Sequence, residues 1–256
     1  MNVTVTLLQD HLRHLRLSTA ARELPEILAN LRKAPDLTWA ISALEREVDA
    51  RRERALERRI CFARFPEIAT LEAFDWEFNP CVPRAQIEAL TQDTFLRGNR
   101  IALFLGTPGT GKTHTALGIG LAAVRQGHRV YCTSVKRLAK EIATAKATHS
   151  LDTFFKKMLS CRLWILDDWG VVTLGKDASE EIFDLLDRRK HVASMILTSN
   201  RAVEEWPTVF PDPILSAAAI DRIFDRAEIL VFQGVSYRLK GRIDSKVVDW
   251  ERASMQ

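Results

Sequence analysis

The chain contains Gly106-Thr107-Pro108-Gly109-Thr110-Gly111-Lys112-Thr113, followed by His114. Its spacing is G-x-x-x-x-G-K-[ST], the pattern of a phosphate-binding loop. The flanks agree with that reading. Arg100-Ile101-Ala102-Leu103-Phe104-Leu105 is a short apolar run and predicts a buried strand, and Lys112 to Arg125 predicts a helix. Strand, loop and helix in this order aim backbone N–H groups at an anion, while the glycines let the backbone wrap a triphosphate. Lys112 would reach the β- and γ-phosphates, and Thr113 would offer its hydroxyl to Mg²⁺.

Downstream, the order of elements extends this core. His128 to Thr133 predicts a strand, Ser134 caps a helix from Val135 to Thr148, and Leu151 to Leu159 predicts another helix. Arg162-Leu163-Trp164-Ile165-Leu166-Asp167-Asp168 reads as an apolar strand ending in two acids. In a parallel sheet those acids lie beside the phosphate loop, where Mg²⁺ must sit. Asp167 is the metal candidate, and Asp168 stands where a base orienting the attacking water belongs. A helix over Ala178 to Lys190 leads to the strand Ser194 to Arg201. Asn200 at its end fits a contact to the γ-phosphate or lytic water, and equally a turn. The helix Asp212 to Arg226 carries Arg222, which fits either an ion pair or an arginine finger reaching a neighbouring subunit's ATP. After a last strand, Glu228 to Phe232, comes Arg238, a phosphate ligand or a surface charge. Alternating strands and helices between Arg100 and Phe232 predict an α/β fold, a parallel sheet with helices on both faces.

The segment before this core is helical in spacing. Leu7 to Leu17 and Thr19 to Asn30 predict two helices, and Asp36 caps a third running through Ile60. The third carries Arg51, Arg52, Arg54, Arg58 and Arg59 among interleaved acids. That pattern fits a solvated helix laced with i,i+4 ion pairs, and equally a face for duplex DNA phosphates. Phe65 to Arg84 is a proline-containing connector in which Phe74 and Trp76 either plug apolar surface, the favoured reading, or lie near a nucleotide base. Pro83 opens a helix through Leu96. The resulting division is an N-terminal helical domain (1–70), a connector with its helix (71–98), an ATPase core (99–240) and a tail (241–256) too short for a separate lid.

Composition sets bounds on all this. The chain has 256 residues, is 46% hydrophobic and carries a net charge of +4, with a pI near 9.0. That mild basicity permits a nucleic-acid partner without requiring one. Four scattered cysteines form no C-x-x-C pair, which suits a reducing cytoplasm and gives no zinc signature. No apolar run spans a bilayer, and no secretion signal opens the chain, so a cytoplasmic protein without membrane contact is expected.

With these residues in view, the sequence resembles IstB-type ATP-binding proteins, the transposition helpers of IstA/IstB insertion sequences in the DnaC/DnaA-like clade of AAA+ ATPases. The resemblance covers nearly the whole chain. It rests on Leu12 to Ala21, Ala63-Arg64-Phe65-Pro66, Thr70 to Asp75, the Walker A loop Gly106 to His114, Leu197-Thr198-Ser199-Asn200, Asp221-Arg222 and Gly234 to Arg238. It implies ATP and Mg²⁺ as cofactors, ATP held between subunits, a homo-oligomer assembled on duplex DNA, DNA remodelling, and engagement of an IstA-type transposase. Lys112 and Thr113 match Walker A, Asp167 the Walker B metal residue, Asn200 sensor 1 and Arg222 the intersubunit finger, while Arg238 lies near a second sensor. Many AAA+ proteins have Glu where Asp168 stands, so a slow ATPase is expected. The alternative within the clade is a DnaC-type helicase loader, which would prefer single strands.

Overall fold

The computed structural model describes residues 3–33, 35–190 and 192–240, so the expected tail 241–256 lies outside the described residues. The chain forms two compact units, Met1–Arg58 and Arg59–Gln256. This division falls inside a helix, ahead of the boundary at 70 read from the sequence.

In the first unit, α1 (Val3–His14), α2 (Ser18–Ala29) and the start of α3 (Thr38–Ala63) surround a small core. Leu8, Leu12 and Ala21 are buried there, against Leu24, Leu37, Ile41 and Leu44. The Gln9 side-chain amide donates to the Ala21 carbonyl at 2.7 Å. Asp36 sets the start of α3 by accepting from the Thr38 N–H at 2.9 Å and its hydroxyl at 2.6 Å. Those bonds hold its carboxyl below the ordinary value.

The second unit takes in the end of α3 and then α4 (Arg84–Ala89) and α5 (Asp93–Arg97), followed by β1 (Ile101–Gly106), α6 (Lys112–Arg125) and β2 (Val130–Ser134). Next come α7 (Val135–Ala147), α8 (Leu151–Leu159), β3 (Leu163–Trp169), α9 (Lys176–Arg189), β4 (Ser194–Ser199), α10 (Pro213–Phe224) and β5 (Ala227–Phe232). Two 3₁₀ turns, Val203–Val209 and Tyr237–Leu239, add to these. The five strands form one sheet in the order β2-β3-β4-β1-β5, and every pairing is parallel.

Side-chain alternation assigns the faces. Ile101 and Leu103 of β1, Trp164 and Leu166 of β3, and Met195 and Leu197 of β4 pack with apolar residues of α7, α8, α9 and α10. Ala102, Phe104, Ile165 and Ile196 are equally buried on the opposite face. There α6 packs so closely that a Cβ on Gly120 would stand 2.6 Å from Ile165 Cδ1. With all strands parallel, the ends of β1, β3 and β4 share one edge, and that edge carries the polar residues of the site.

Two expectations are corrected. The single helix from Pro83 to Leu96 is two helices. The Thr91 hydroxyl bonds back to the Glu88 carbonyl at 2.7 Å, and Gln126 captures the Thr91 carbonyl at 2.8 Å, so the helical ladder stops there. Likewise, β3 does not end at its two acids but continues to Trp169. Leu166 pairs with Leu197 and Trp169 with Ser199, so two residues of β3 oppose one of β4. This is a β-bulge. Buried Trp169 anchors it against Trp206, with ring centroids 5.9 Å apart.

Candidate nucleotide site

The cleft at the strand ends has a volume of about 380 Å³, within the range of small-molecule sites. It is bordered by Pro108, Gly109, Gly111, Lys112, Thr113, His114, Asp167, Asp168, Asn200, Tyr237, Arg238 and Glu67. The structure thus gathers in one place most of the residues singled out in the sequence.

Backbone conformation shapes the loop. Gly109 and Gly111 have φ of +79° and +102°, a region that L-residues rarely occupy. Neither position has room for a side chain: a Cβ on Gly109 would stand 2.0 Å from Ser236 Oγ, and one on Gly111 2.4 Å from the Phe74 ring. Phe74 therefore backs the phosphate loop. Trp76 is edge-on to it at 4.5 Å, and the His114 ring lies 5.5 Å away. Thr110 braces the turn by donating to the Thr107 carbonyl at 2.8 Å.

Lys112 starts α6, and its side chain bends back into the loop. Its ammonium donates to the Gly106 and Thr107 carbonyls, both at 2.7 Å. Burial lowers its pKa to about 8, partly opposed by Asp167 and Asp168. Thr113 Oγ1 donates to Asp167 Oδ1 at 2.8 Å. The same carboxylate oxygen accepts from Thr198 Oγ1. A hydroxyl beside a carboxylate offers two hard oxygen donors, the chemistry that Mg²⁺ prefers, and phosphate and water would complete its shell. The residues present therefore fit ATP with Mg²⁺.

The bulge on β3 turns Asp168 out of the ladder. Its φ is +60°, and its N–H donates to Thr198 Oγ1 at 3.1 Å. Burial first, then the Asp167 charge, push the Asp168 carboxyl above its ordinary value, while Arg238 and Lys112 pull it down. Thr198, one residue inside the strand end, joins both acids; the sequence offered it only within the Leu197-Thr198-Ser199-Asn200 stretch, with no role in the site. Glu67 was missed, since it belongs to no spacing pattern, and Tyr237 entered only within the Gly234 to Arg238 stretch, with no role in the site.

Two sets of sequence candidates lie elsewhere. Arg222 does not border the cleft. Its guanidinium donates to Asp187 at 2.6 Å and to Asp221 at 2.9 Å. On α3, Arg51 pairs with Glu47 at 2.7 Å, Arg54 reaches the same acid at 3.4 Å, and Arg52 pairs with Asp49 at 3.3 Å. Arg58 and Arg59 form no ion pair among the described residues.

Comparison with known proteins agrees with this geometry. Residues 10–245 match the family model described as IstB-like ATP binding protein. An IS21 insertion-sequence ATP-binding protein of Pseudomonas aeruginosa is 36% identical over 198 residues, 77% of this chain and 75% of the relative. Among solved structures, the DnaC helicase loader superposes with a TM-score of 0.56 at 22% identity, over 64% of this chain and 97% of that one. AMPPCP-bound DnaA from Aquifex aeolicus gives 0.54 at 19% identity, over 72% of this chain and 59% of that one. Those identities establish the fold alone, an AAA+ core. No helix among the described residues is long and apolar enough to cross a membrane. By the family match and its relatives, this chain belongs to the IstB-like ATP-binding proteins of insertion sequences, built on an AAA+ fold.

Proposed function

We propose that this protein is an ATP hydrolase that binds Mg²⁺-ATP between subunits, assembles on duplex DNA in the cytoplasm and remodels it to recruit a transposase. The observation that carries the reading is the convergence in one cleft of Lys112, the Thr113–Asp167 pair, Asp168, Asn200 and Arg238. Loop N–H groups from Gly106 to Gly111, with Lys112, would hold the phosphates. Thr113 and Asp167 would hold Mg²⁺, which supplies charge neutralisation on the phosphates when bound. Asp168 would orient the attacking water and accept its proton. Asn200 would position that water, and Arg238 would contact phosphate.

The position of Arg222 supports a role at a neighbouring subunit. It is absent from its own cleft, on α10, and its two acidic partners hold it at the surface. ATP between subunits would then couple nucleotide to assembly, with hydrolysis ending the assembled state. On α3, Arg58 and Arg59 lack acidic partners among the described residues and are better placed for DNA phosphate than Arg51, Arg52 and Arg54, which Glu47 and Asp49 partly neutralise. Arg58→Ala should lower the salt slope of duplex binding by roughly 0.9, the value for one phosphate contact, and Arg51→Ala by less.

The deciding measurement is binding to long duplex, short duplex and single-stranded DNA with ATP, with ADP and without nucleotide. ATP-dependent affinity that grows with duplex length is expected. Preference for single strands would replace this reading with that of a helicase loader, for which the DnaC likeness supplies only a shared core.

A further inference from the structure

Asn79 lies in the connector before α4, 156 positions from Val235, and is 4% exposed. Its amide nitrogen donates to the Val235 carbonyl at 2.9 Å, and its Oδ1 accepts the Val235 N–H at 3.2 Å. One side chain thus satisfies both polar groups of one backbone residue. Gly234 shows how close the approach is: its φ is +127°, and an added Cβ would stand 2.3 Å from Asn79 Oδ1. Beyond Val235 the chain meets the phosphate loop directly. Ser236 fills the space beside Gly109, the Tyr237 N–H donates to the Gly109 carbonyl at 2.9 Å, and Arg238 borders the cleft.

The segment has other fastenings, but they are more exposed. Lys240 pairs with Asp75 at 2.6 Å, with side chains 48% and 32% exposed. The Tyr237 ring meets Phe78 edge-on at 5.0 Å, and half of Tyr237 is in solvent. Exposed ion pairs hold weakly, whereas removing a buried, doubly bonded amide strands both of its partners. Asn79 is therefore the principal tie between the connector and the segment that carries Arg238. It does not itself border the cleft.

We infer that Asn79 is a positioning residue for the nucleotide: through Gly234–Tyr237 it sets where the Arg238 guanidinium meets the phosphates. This rests on reading the cleft as an ATP site. Arg238 would distinguish nucleotides by their terminal phosphate, so Asn79 governs the preference for ATP over ADP without touching either.

The test is a double-substitution cycle read by dissociation constants for AMPPCP and for ADP, below the melting temperature of every variant. Asn79→Ala and Arg238→Ala should each weaken AMPPCP by about tenfold, the loss of one charge-assisted contact, and ADP much less. The double variant should bind no worse than Arg238→Ala alone, because the two act through one contact. Equal losses for both nucleotides, full additivity, or wild-type binding by either single variant would overturn the proposal. If Asn79→Ala does not fold, Asn79→Asp keeps the side-chain volume and the acceptor for Val235 N–H but sets a carboxylate against the Val235 carbonyl, and the same cycle applies. Lys112→Ala marks the underlying reading. If it binds AMPPCP like the wild type, the cleft is not the ATP site and the inference falls with it. If Lys112→Ala loses binding while Asn79→Ala keeps it, the inference alone fails.

Discussion

Two of the walls of the cleft, which also holds the strand-end acids Asp167 and Asp168, are built in different ways. The wall formed by Gly106 to His114 is continuous in sequence, and its shape is set by local backbone, with glycines at φ of +79° and +102°. The wall formed by Gly234 to Lys240 is held from outside, by Asn79, Asp75 and Gly109. The difference separates two kinds of dependence. A local wall fails when its own residues change, whereas a tethered wall can fail through a residue distant in sequence that never meets the ligand.

Substitutions put that difference to the test. The largest effect is expected at Lys112: Lys112→Ala should reduce kcat/KM for ATP hydrolysis at least about a hundredfold, as loss of a charge-stabilising donor does. Activity near the wild-type level would remove the first wall from the mechanism. Asp168→Asn comes next, with kcat down by roughly a hundredfold, the lower end of what loss of a general base costs, and AMPPCP binding and DNA-bound assembly retained. Assembly lost together with turnover would show that Asp168 serves structure. Gly111→Ala sharpens the contrast through stability. Strained backbone and the approach to Phe74 should lower unfolding free energy by about 1–3 kcal/mol, read in a denaturant titration. An unchanged midpoint would mean the loop is softer than its geometry implies. Lys240→Ala is the smallest, with no measurable change in melting temperature, because its ion pair with Asp75 is exposed. A clear drop there would move the principal tie of the second wall from Asn79 to Lys240.

The same contrast separates what could be read in the sequence from what could not. The phosphate loop and the succession of strands along the chain follow from contiguous patterns, and α6 and α8 begin and end where the sequence placed them. Asp167 was legible because an apolar run carries it to a strand end. Asn79 was not, since nothing near it in sequence signals a partner 156 positions away. The break between α4 and α5 depends on Gln126, a residue of another segment, reaching Thr91. The bulge in β3 depends on buried Trp169 finding Trp206. The two sequence readings left open for Arg222, ion pair and subunit-spanning finger, need not exclude each other. The ion pair is present in the single chain, and the finger requires a second copy.

Asp168 is the extra residue of that bulge, with its backbone at φ +60°. Among non-glycine residues, Asp and Asn occupy this region several-fold more readily than most. For an engineer seeking faster turnover, the obvious change is Asp168→Glu, which gives the carboxylate one more methylene of reach. In this scaffold that change also replaces a residue suited to the bulge with one less suited to it. Any gain in reach would be set against a less stable strand end, the one that also holds Asp167 and Thr198. The length of the acid and the shape of its backbone form a matched pair, and a transplant of one requires remodelling the other.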